Sequence, residues 1–487
     1  MKITIIYPDI RKDLPQYTGN YSEGLAMLSA VAKAAGHQVR FIHLTMPTSE
    51  DRLISLIGDK DYPEIIAFSS VSNKYQYVKE MALWVKRHFN VPIIYGGVHP
   101  TLNPEEAINT DGIDFICVGE GEEALLEFLK NLERGNDITH IPNIWSKQGH
   151  KITRNSPRPM IENLDELPLP DRSIFDFENL MSSKDGEAHF IASRGCPYLC
   201  TYCANHALRS IYPNKDKYVR FKSVDKILEE VQETIDKMPF IKYVFFEDDI
   251  LPLKISWFEE FSEKYHKKIG LPFHCNMHPG LVNKRVVSLL AKAGCKAVSL
   301  GVESGNERIR YEILSRKVSD KQIIDATKLL RANGIKIATF NMVGLPYEGM
   351  QEVIETAKLN AKIKPTHAYS TIFYPYSGTE LLAFCKEKGL LTSKSYDTYS
   401  EGTILSQGTI TNEQVVFAHR YFQILIKLYS WTEKYPTVTA LFDRMLCSRR
   451  FPHKTATKLF DIIWKCLAFT YLKFIRHFYS RVGKLYQ

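Results

Sequence analysis

Three cysteines are spaced to grip a metal cluster. In Ser193-Arg194-Gly195-Cys196-Pro197-Tyr198-Leu199-Cys200-Thr201-Tyr202-Cys203, three residues separate the first pair and two the second. A loop of that spacing can fold three thiolates around one face of a cubane. No fourth cysteine follows nearby, so one iron is left open to another ligand. A structural zinc knuckle is the alternative. Zinc usually draws four ligands in paired spacings, and no second pair exists here. The spacing alone specifies a cluster with an open position. A mostly apolar segment, Ala188 to Ala192, leads into the loop like the first strand of a barrel.

The elements that must position this loop show as alternation. From residue 1 to about 135, short apolar runs (Lys2–Pro8, Val39–Leu44, Ile65–Ser70, Pro92–Gly97, Phe115–Glu120) alternate with amphipathic stretches such as Ser22–Ala35 and Asn73–Phe89. That pattern predicts a doubly wound, Rossmann-like parallel sheet with helices on both faces. Ligands of such sheets bind beyond the carboxyl ends of the strands. The small-residue turns fall there: Ser69-Ser70, Gly96-Gly97-Val98-His99-Pro100-Thr101 and Gly119-Glu120-Gly121-Glu122. Residues 136–187 read as a linker with a hairpin about Gly149 and a proline-rich stretch. From 188 to 391 the alternation resumes over six strands: Ala188–Arg194, Tyr243–Asp248, Pro272–Met277, Ala297–Glu303, Lys336–Val343 and Ala368–Tyr374. Residues 392–487 lose it and read as a helical, basic C-terminal region.

At this point the chain resembles the radical S-adenosylmethionine (SAM) enzymes, whose signature is a Cys-x-x-x-Cys-x-x-Cys loop with an aromatic, here Tyr202, before the last cysteine. The resemblance implies a [4Fe–4S] cluster on Cys196, Cys200 and Cys203. It also implies SAM chelated at the open iron, its reductive cleavage to a 5′-deoxyadenosyl radical, and a partial (β/α)6 barrel over 188–391. Gly-Gly-x-His-Pro-Thr, with Gly-Glu-Gly-Glu one strand later and Glu23-Gly24-Leu25 opening the first helix, looks like the cobalamin-binding domain that precedes many such barrels. Ser69, Ser70, Gly96, Gly97, His99, Pro100, Thr101, Gly119 and Glu120 are then the cobalamin contacts. The Asp-x-His-x-x-Gly pattern that supplies histidine to cobalt elsewhere is absent from residues 1–135. The resemblance therefore implies cobalamin without a histidine lower ligand, or a domain that has lost its cofactor.

Barrel chemistry sits at the carboxyl ends of strands. Asp248 ends the second strand, where it can order a substrate or bind the SAM amino group; an N-cap is the plainer role. Glu303 and Ser304, in Gly301-Val302-Glu303-Ser304-Gly305, match a family turn that contacts SAM, with Gly305 leaving room for the nucleoside. Gly344, in Gly344-Leu345-Pro346, matches a turn passing near the adenine. His278 reads as a structural histidine. Cys117, Cys275, Cys295, Cys385, Cys447 and Cys466 show no ligand spacing and read as small buried apolar residues.

With 487 residues, 44% hydrophobic and 24% charged, the chain is globular in composition and long enough for several domains. Nine scattered cysteines suggest no secreted disulfide framework. No signal-like start or uncharged run of about 18 residues appears, so a cytoplasmic location is expected. From Leu441 onward ten basic residues meet only Asp443 and Asp461, so that segment carries the whole formal net charge of +8. Positive charge is not spread around the site as a nucleic-acid enzyme requires. The stretch Trp464–Arg476 mixes apolar, aromatic and basic residues. It suits a helix lying on an anionic membrane surface, or one capping the barrel mouth. The activity implied by the resemblance is methylation of an unactivated carbon, with the methyl group carried by cobalamin. Ring formation or oxidation with the same cofactors, and a non-catalytic cobalamin-binding protein, are the alternatives. A small-molecule or lipid-like substrate and a flavodoxin- or ferredoxin-type electron donor are expected as partners.

Overall fold

Strands covered on both faces read as nearly unbroken apolar runs, and Ile65-Ile66-Ala67-Phe68 is one, with Ile65, Ile66 and Phe68 at 2% exposure or less. A computed structural model describes residues 1–58, 63–394, 396, 398 and 400–458. Its contacts divide it into two units: Met1–Tyr198 with Cys203–Ile241 and Tyr376–Thr379, and Leu199–Tyr202 with Lys242–Pro375 and the described chain from Glu380 onward.

The first unit is built on β1 (Lys2–Pro8), β2 (Gln38–Leu44), β3 (Ile65–Ser69), β4 (Ile93–Gly96) and β5 (Phe115–Cys117), ordered β2-β1-β3-β4-β5 and all parallel. The order reverses between β1 and β3, which is where doubly wound sheets open a ligand crevice. Helices Glu23–Ala34, Glu50–Ile57 and Tyr75–His88 connect successive parallel strands, and helix Glu122–Glu133 follows β5. The first buries Leu25, Ala26, Met27, Ala30 and Val31, each leucine-sized side chain contributing roughly 1.5–3 kcal/mol.

The segment read as a linker does not hang free. Its hairpin, β6 (Ile144–Gln148) and β7 (Lys151–Thr153), turns at Gly149 with φ +60° and adds antiparallel to β5. The strand expected over Ala188–Arg194 is broken. It becomes β8 (Glu187–Phe190) and β9 (Ser193–Arg194), because β9 leaves to pair antiparallel with β10 (Arg220–Phe221). The Lys222 amide closes that ribbon by donating to the Ala192 carbonyl at 2.8 Å.

In the second unit β11 (Tyr243–Phe246), β12 (Phe273–Met277), β13 (Cys295–Glu303), β14 (Lys336–Val343) and β15 (His367–Ile372) run parallel and in chain order. Helices Ile255–Lys268, Lys284–Ala293, Asp320–Ala332 and Met350–Ile363 connect them. Beyond the sheet, helices Asn412–Arg420, Phe422–Thr432 and Pro436–Cys447 share an apolar core with Met350–Ile363. The basic stretch Trp464–Arg476 lies outside the described residues. Among them, no helix is long and apolar enough to cross a membrane.

Gly97 has φ +102° and ψ −168°, a region essentially reserved for glycine. A Cβ there would stand 2.8 Å from the Ser70 carbonyl oxygen and 2.9 Å from Ser69 Oγ. Gly97→Ala is expected to destabilise the first unit by about 1–3 kcal/mol, measured by denaturant unfolding. An unchanged unfolding midpoint would contradict the geometry.

Candidate active site and cofactor cradle

The carboxyl ends of β3, β4 and β5 meet as the sequence predicts. Ser70 donates its amide to Gly96 O at 3.3 Å, and its hydroxyl is bonded to Tyr95 at 2.6 Å. His99 donates its amide to Ser70 O at 3.2 Å. Thr101 Oγ1 donates to Gly97 O at 2.7 Å and accepts from the Gly119 amide at 3.1 Å. Gly97 rests against Ser69 Oγ, and Pro100 is buried in the short helix Val98–Leu102. The His99 ring stacks on Tyr75 at 4.1 Å. Burial pushes its pKa down to about 4, so the imidazole is neutral near pH 7. Ser70, His99 and Thr101 are buried in these turns while Gly97 is exposed, so backbone at the strand ends is open to close approach by a ligand.

Glu120 sits differently. Its carboxylate accepts from Arg194 at 2.9 Å, from Arg220 at 2.9 and 3.0 Å, and from the Ile161 amide at 3.0 Å. Glu122 accepts from Arg194 at 2.5 Å. A second buried group lies in the same unit. Lys222 bridges Glu23 at 2.9 Å and Glu230 at 2.6 Å, and Arg172 donates to Glu230 at 2.9 Å. The Arg172 guanidinium lies between the Tyr21 and Phe190 rings, at 4.2 and 4.3 Å from their centroids.

The cysteine loop carries three thiols that are in no disulfide: Cys200 is buried, while Cys196 and Cys203 are half-buried. Cys203 holds the N-cap position of helix Ala204–Ser210. Among the described residues no three His, Cys, Asp or Glu side chains gather around a single ion's position. A cubane needs no such convergence, because each thiolate binds its own iron. Burial raises the Cys200 pKa, and the Arg316 guanidinium, with Nη1 3.9 Å from the sulfur, opposes that rise. Such a cation favours the thiolate a cluster requires.

Arg316 also donates to Gly301 O at 2.7 Å, and its buried Nε has no hydrogen-bond partner. Beside it, Glu303 sits in a bulge of β13 with φ +67°, a conformation non-glycine residues rarely hold. Burial raises the Glu303 pKa, against the pull of Arg316 and a hydrogen bond from Tyr202. Ser304 is fully buried, its Oγ accepting from the Asn306 amide at 3.3 Å. The room expected at Gly305 is filled: a Cβ there would meet Glu355 O and Thr356 Cα at 2.4 Å, so this glycine packs helix Met350–Ile363 against the strand. Asp248 is buried two residues past β11, its carbonyl bonded to Asn276. His278 accepts the Gly280 amide at 3.1 Å, and burial lowers its pKa to about 3.

Gly344, with φ +80°, gives its amide to Glu348 Oε2 at 2.6 Å, and Leu345 adds a second bond at 3.1 Å. Gln407 straps this turn by donating to Leu345 O and accepting from the Tyr347 amide, both at 2.7 Å. Arg194, Arg316 and Glu348 were not singled out from the sequence. Arg194 lay inside the quoted cysteine motif. Arg316 and Glu348 follow a strand-end turn, a signal open to a search for charged residues in apolar surroundings.

Comparison with known proteins agrees with these two halves. The radical SAM superfamily model matches residues 190–359 and the B12 binding domain model matches 20–129. The chain is thus a radical SAM enzyme, belonging to the cobalamin-dependent group in which a B12 binding domain precedes a radical SAM half-barrel. Those domains imply a [4Fe–4S] cluster, SAM and cobalamin as cofactors. Among its relatives, an uncharacterized methyltransferase of Pyrococcus horikoshii is 25% identical, over 85% of this chain and 90% of its own. The anaerobic magnesium-protoporphyrin IX monomethyl ester cyclase of Rubrivivax gelatinosus is 25% identical, over 78% of this chain and 69% of its own. The solved structure of the cobalamin-dependent SAM radical enzyme OxsB with aqua-cobalamin superposes with a TM-score of 0.69 at 16% identity. It covers 96% of this chain and 75% of OxsB, and shows the shared fold.

Burial lifts the Glu348 pKa from 4.5 to about 8 despite the two amides that favour its ionised form. Folding thus prefers the protonated acid. Its contribution to stability is complete below pH 4.5 and is lost as pH rises through about 8. Glu348→Gln is expected to melt with the wild type near pH 5 and above it at pH 8, the gap growing by up to roughly 1.4 kcal/mol per pH unit. Parallel melting curves across that range would reject the assignment.

Proposed function

We propose that this enzyme methylates an unactivated carbon of a small-molecule or lipid-like substrate, drawing electrons from a flavodoxin- or ferredoxin-type donor. One observation carries the reading: a chain holding both domains aligns over 85% of its length with a protein described as a methyltransferase. When bound, the cluster with SAM supplies a hydrogen-abstracting 5′-deoxyadenosyl radical, and cobalamin supplies the methyl group.

The residues present fit these groups. Cys196, Cys200 and Cys203 would hold the cluster, with Arg316 beside Cys200 stabilising its thiolate. Arg316 Nε is available to a carboxylate such as that of SAM, and Glu303 is set by its bulge to accept hydroxyl or amino donors. Tyr202 bonds Glu303 and so orients it. Asp248, buried two residues past β11, remains a candidate for ordering a substrate. Ser69, Ser70, Gly97, His99, Thr101 and Gly119 would line the cobalamin cradle through neutral groups. Burial of Cys200 and of the Gly344 turn would limit water near a radical.

The likeness to the protoporphyrin ester cyclase favours a second reading, ring formation without methyl transfer. Anaerobically reconstituted enzyme with SAM, cobalamin and a reductant separates the two. Methylation is expected to yield 5′-deoxyadenosine and S-adenosylhomocysteine together by mass spectrometry; deoxyadenosine alone supports the cyclase. Cys200→Ala is expected to abolish deoxyadenosine, by at least about a hundredfold, while cobalamin is retained. Turnover surviving in that variant would refute cluster chemistry at this loop.

A further inference from the structure

The turn that opens helix Glu122–Glu133 and the strand that leads into Cys196 are joined by side chains of opposite charge. Arg194 stands two residues before Cys196. One arm of its fork donates to Glu120 Oε1 at 2.9 Å and the other to Glu122 Oε1 at 2.5 Å. Arg220, its partner in the β9–β10 ribbon, donates to Glu120 Oε2 at 3.0 Å and to Ile161 O at 2.7 Å. Tyr212, from the chain that follows Cys203, accepts the Glu120 amide at 2.9 Å, and its hydroxyl lies 2.9 Å from where a Gly119 Cβ would stand. The Glu122 side chain is 7% exposed and that of Arg194 24%, so water screens these pairs little. A planar guanidinium presents its donors in a fixed fork that can span two carboxylates, a geometry that an ammonium on a flexible stem does not preset.

Two binding events that bias one shared element are energetically coupled, and the coupling is reciprocal. Resting on the reading that this turn receives cobalamin and the cysteine loop a cluster, we infer that Arg194 is a positioning residue. Its fork fixes the turn and the loop as one body, so that filling either cofactor site prepares the other. Arg194 itself need touch neither cofactor. The device lies entirely in the contacts between Gly119–Glu122 and the two arms of the cysteine loop.

The test is equilibrium binding of hydroxocobalamin to the full chain, measured by ultrafiltration and absorbance with and without a reconstituted cluster. For the wild type, the cluster is expected to tighten cobalamin about fivefold or more. In Arg194→Met the ratio is expected to fall to one with both cofactors still loading; in Arg194→Lys it is expected to fall between. A role in stability alone would weaken both affinities in parallel and leave the ratio intact, which overturns the inference. Should Arg194→Met fail to fold, Glu122→Ala decides: it removes the acceptor of one arm, and an unchanged ratio again overturns the proposal. A wild-type ratio of one defeats this inference alone. No cobalamin binding at all defeats the functional reading as well.

Discussion

Charge taken out of water must be answered by opposite charge close at hand, and this requirement organises the first unit. The idealised cost of burying a lone carboxylate or ammonium far exceeds the stability of a domain, so such groups survive only in balanced sets. Glu23, Glu230, Lys222 and Arg172 form one set, with Arg172 also pressed between two aromatic rings. Glu120, Glu122, Arg194 and Arg220 form the other. Each joins residues of the B12 binding domain to residues flanking or following the cysteine loop. Their directionality also fixes register: a hydrophobic contact tolerates a slide of an ångström, whereas a forked ion pair does not.

The second unit relies on backbone shape more than on charge. A bulge turns Glu303 out of the regular pleat, and Gly305 allows a helix to approach the strand more closely than any Cβ permits. The Gly344 turn is satisfied internally by a buried carboxyl and strapped from outside by Gln407 and Thr409. The Gly344 turn is thus held by neighbours that pair its backbone amides.

Much of this was legible. Period and apolar runs located β1 at its observed ends and helix Tyr75–His88 within the stretch Asn73–Phe89, because long buried elements advertise themselves. The small-residue turns were expected beyond the carboxyl ends of strands, and they lie there. The split between β8 and β9 was not legible, since an apolar lead into the loop looks the same whether it continues or diverges. What decides it is a partner strand lying well downstream. The hairpin at Gly149 was read correctly as a hairpin, but its attachment to β5 depends on an edge that local sequence does not describe. Likewise Glu120 reads as a ligand group beside glycines. Only the fold shows its carboxylate committed to two arginines, while Gly305 reads as space that a helix in fact occupies.

The ribbon that introduces the cysteine loop also orders the making of the protein. Glu120 is separated by 100 residues from Arg220, and Glu23 by 199 from Lys222. During synthesis the N-terminal sheet has its own hydrophobic core and can collapse early, but its buried acids gain their full set of cations only once Arg220 and Lys222 have emerged. The cysteine loop therefore acquires its final shape late, after both sets of ion pairs close. Truncation upstream of Arg220 would leave Glu23 without Lys222 and Glu120 without one of its two arginines.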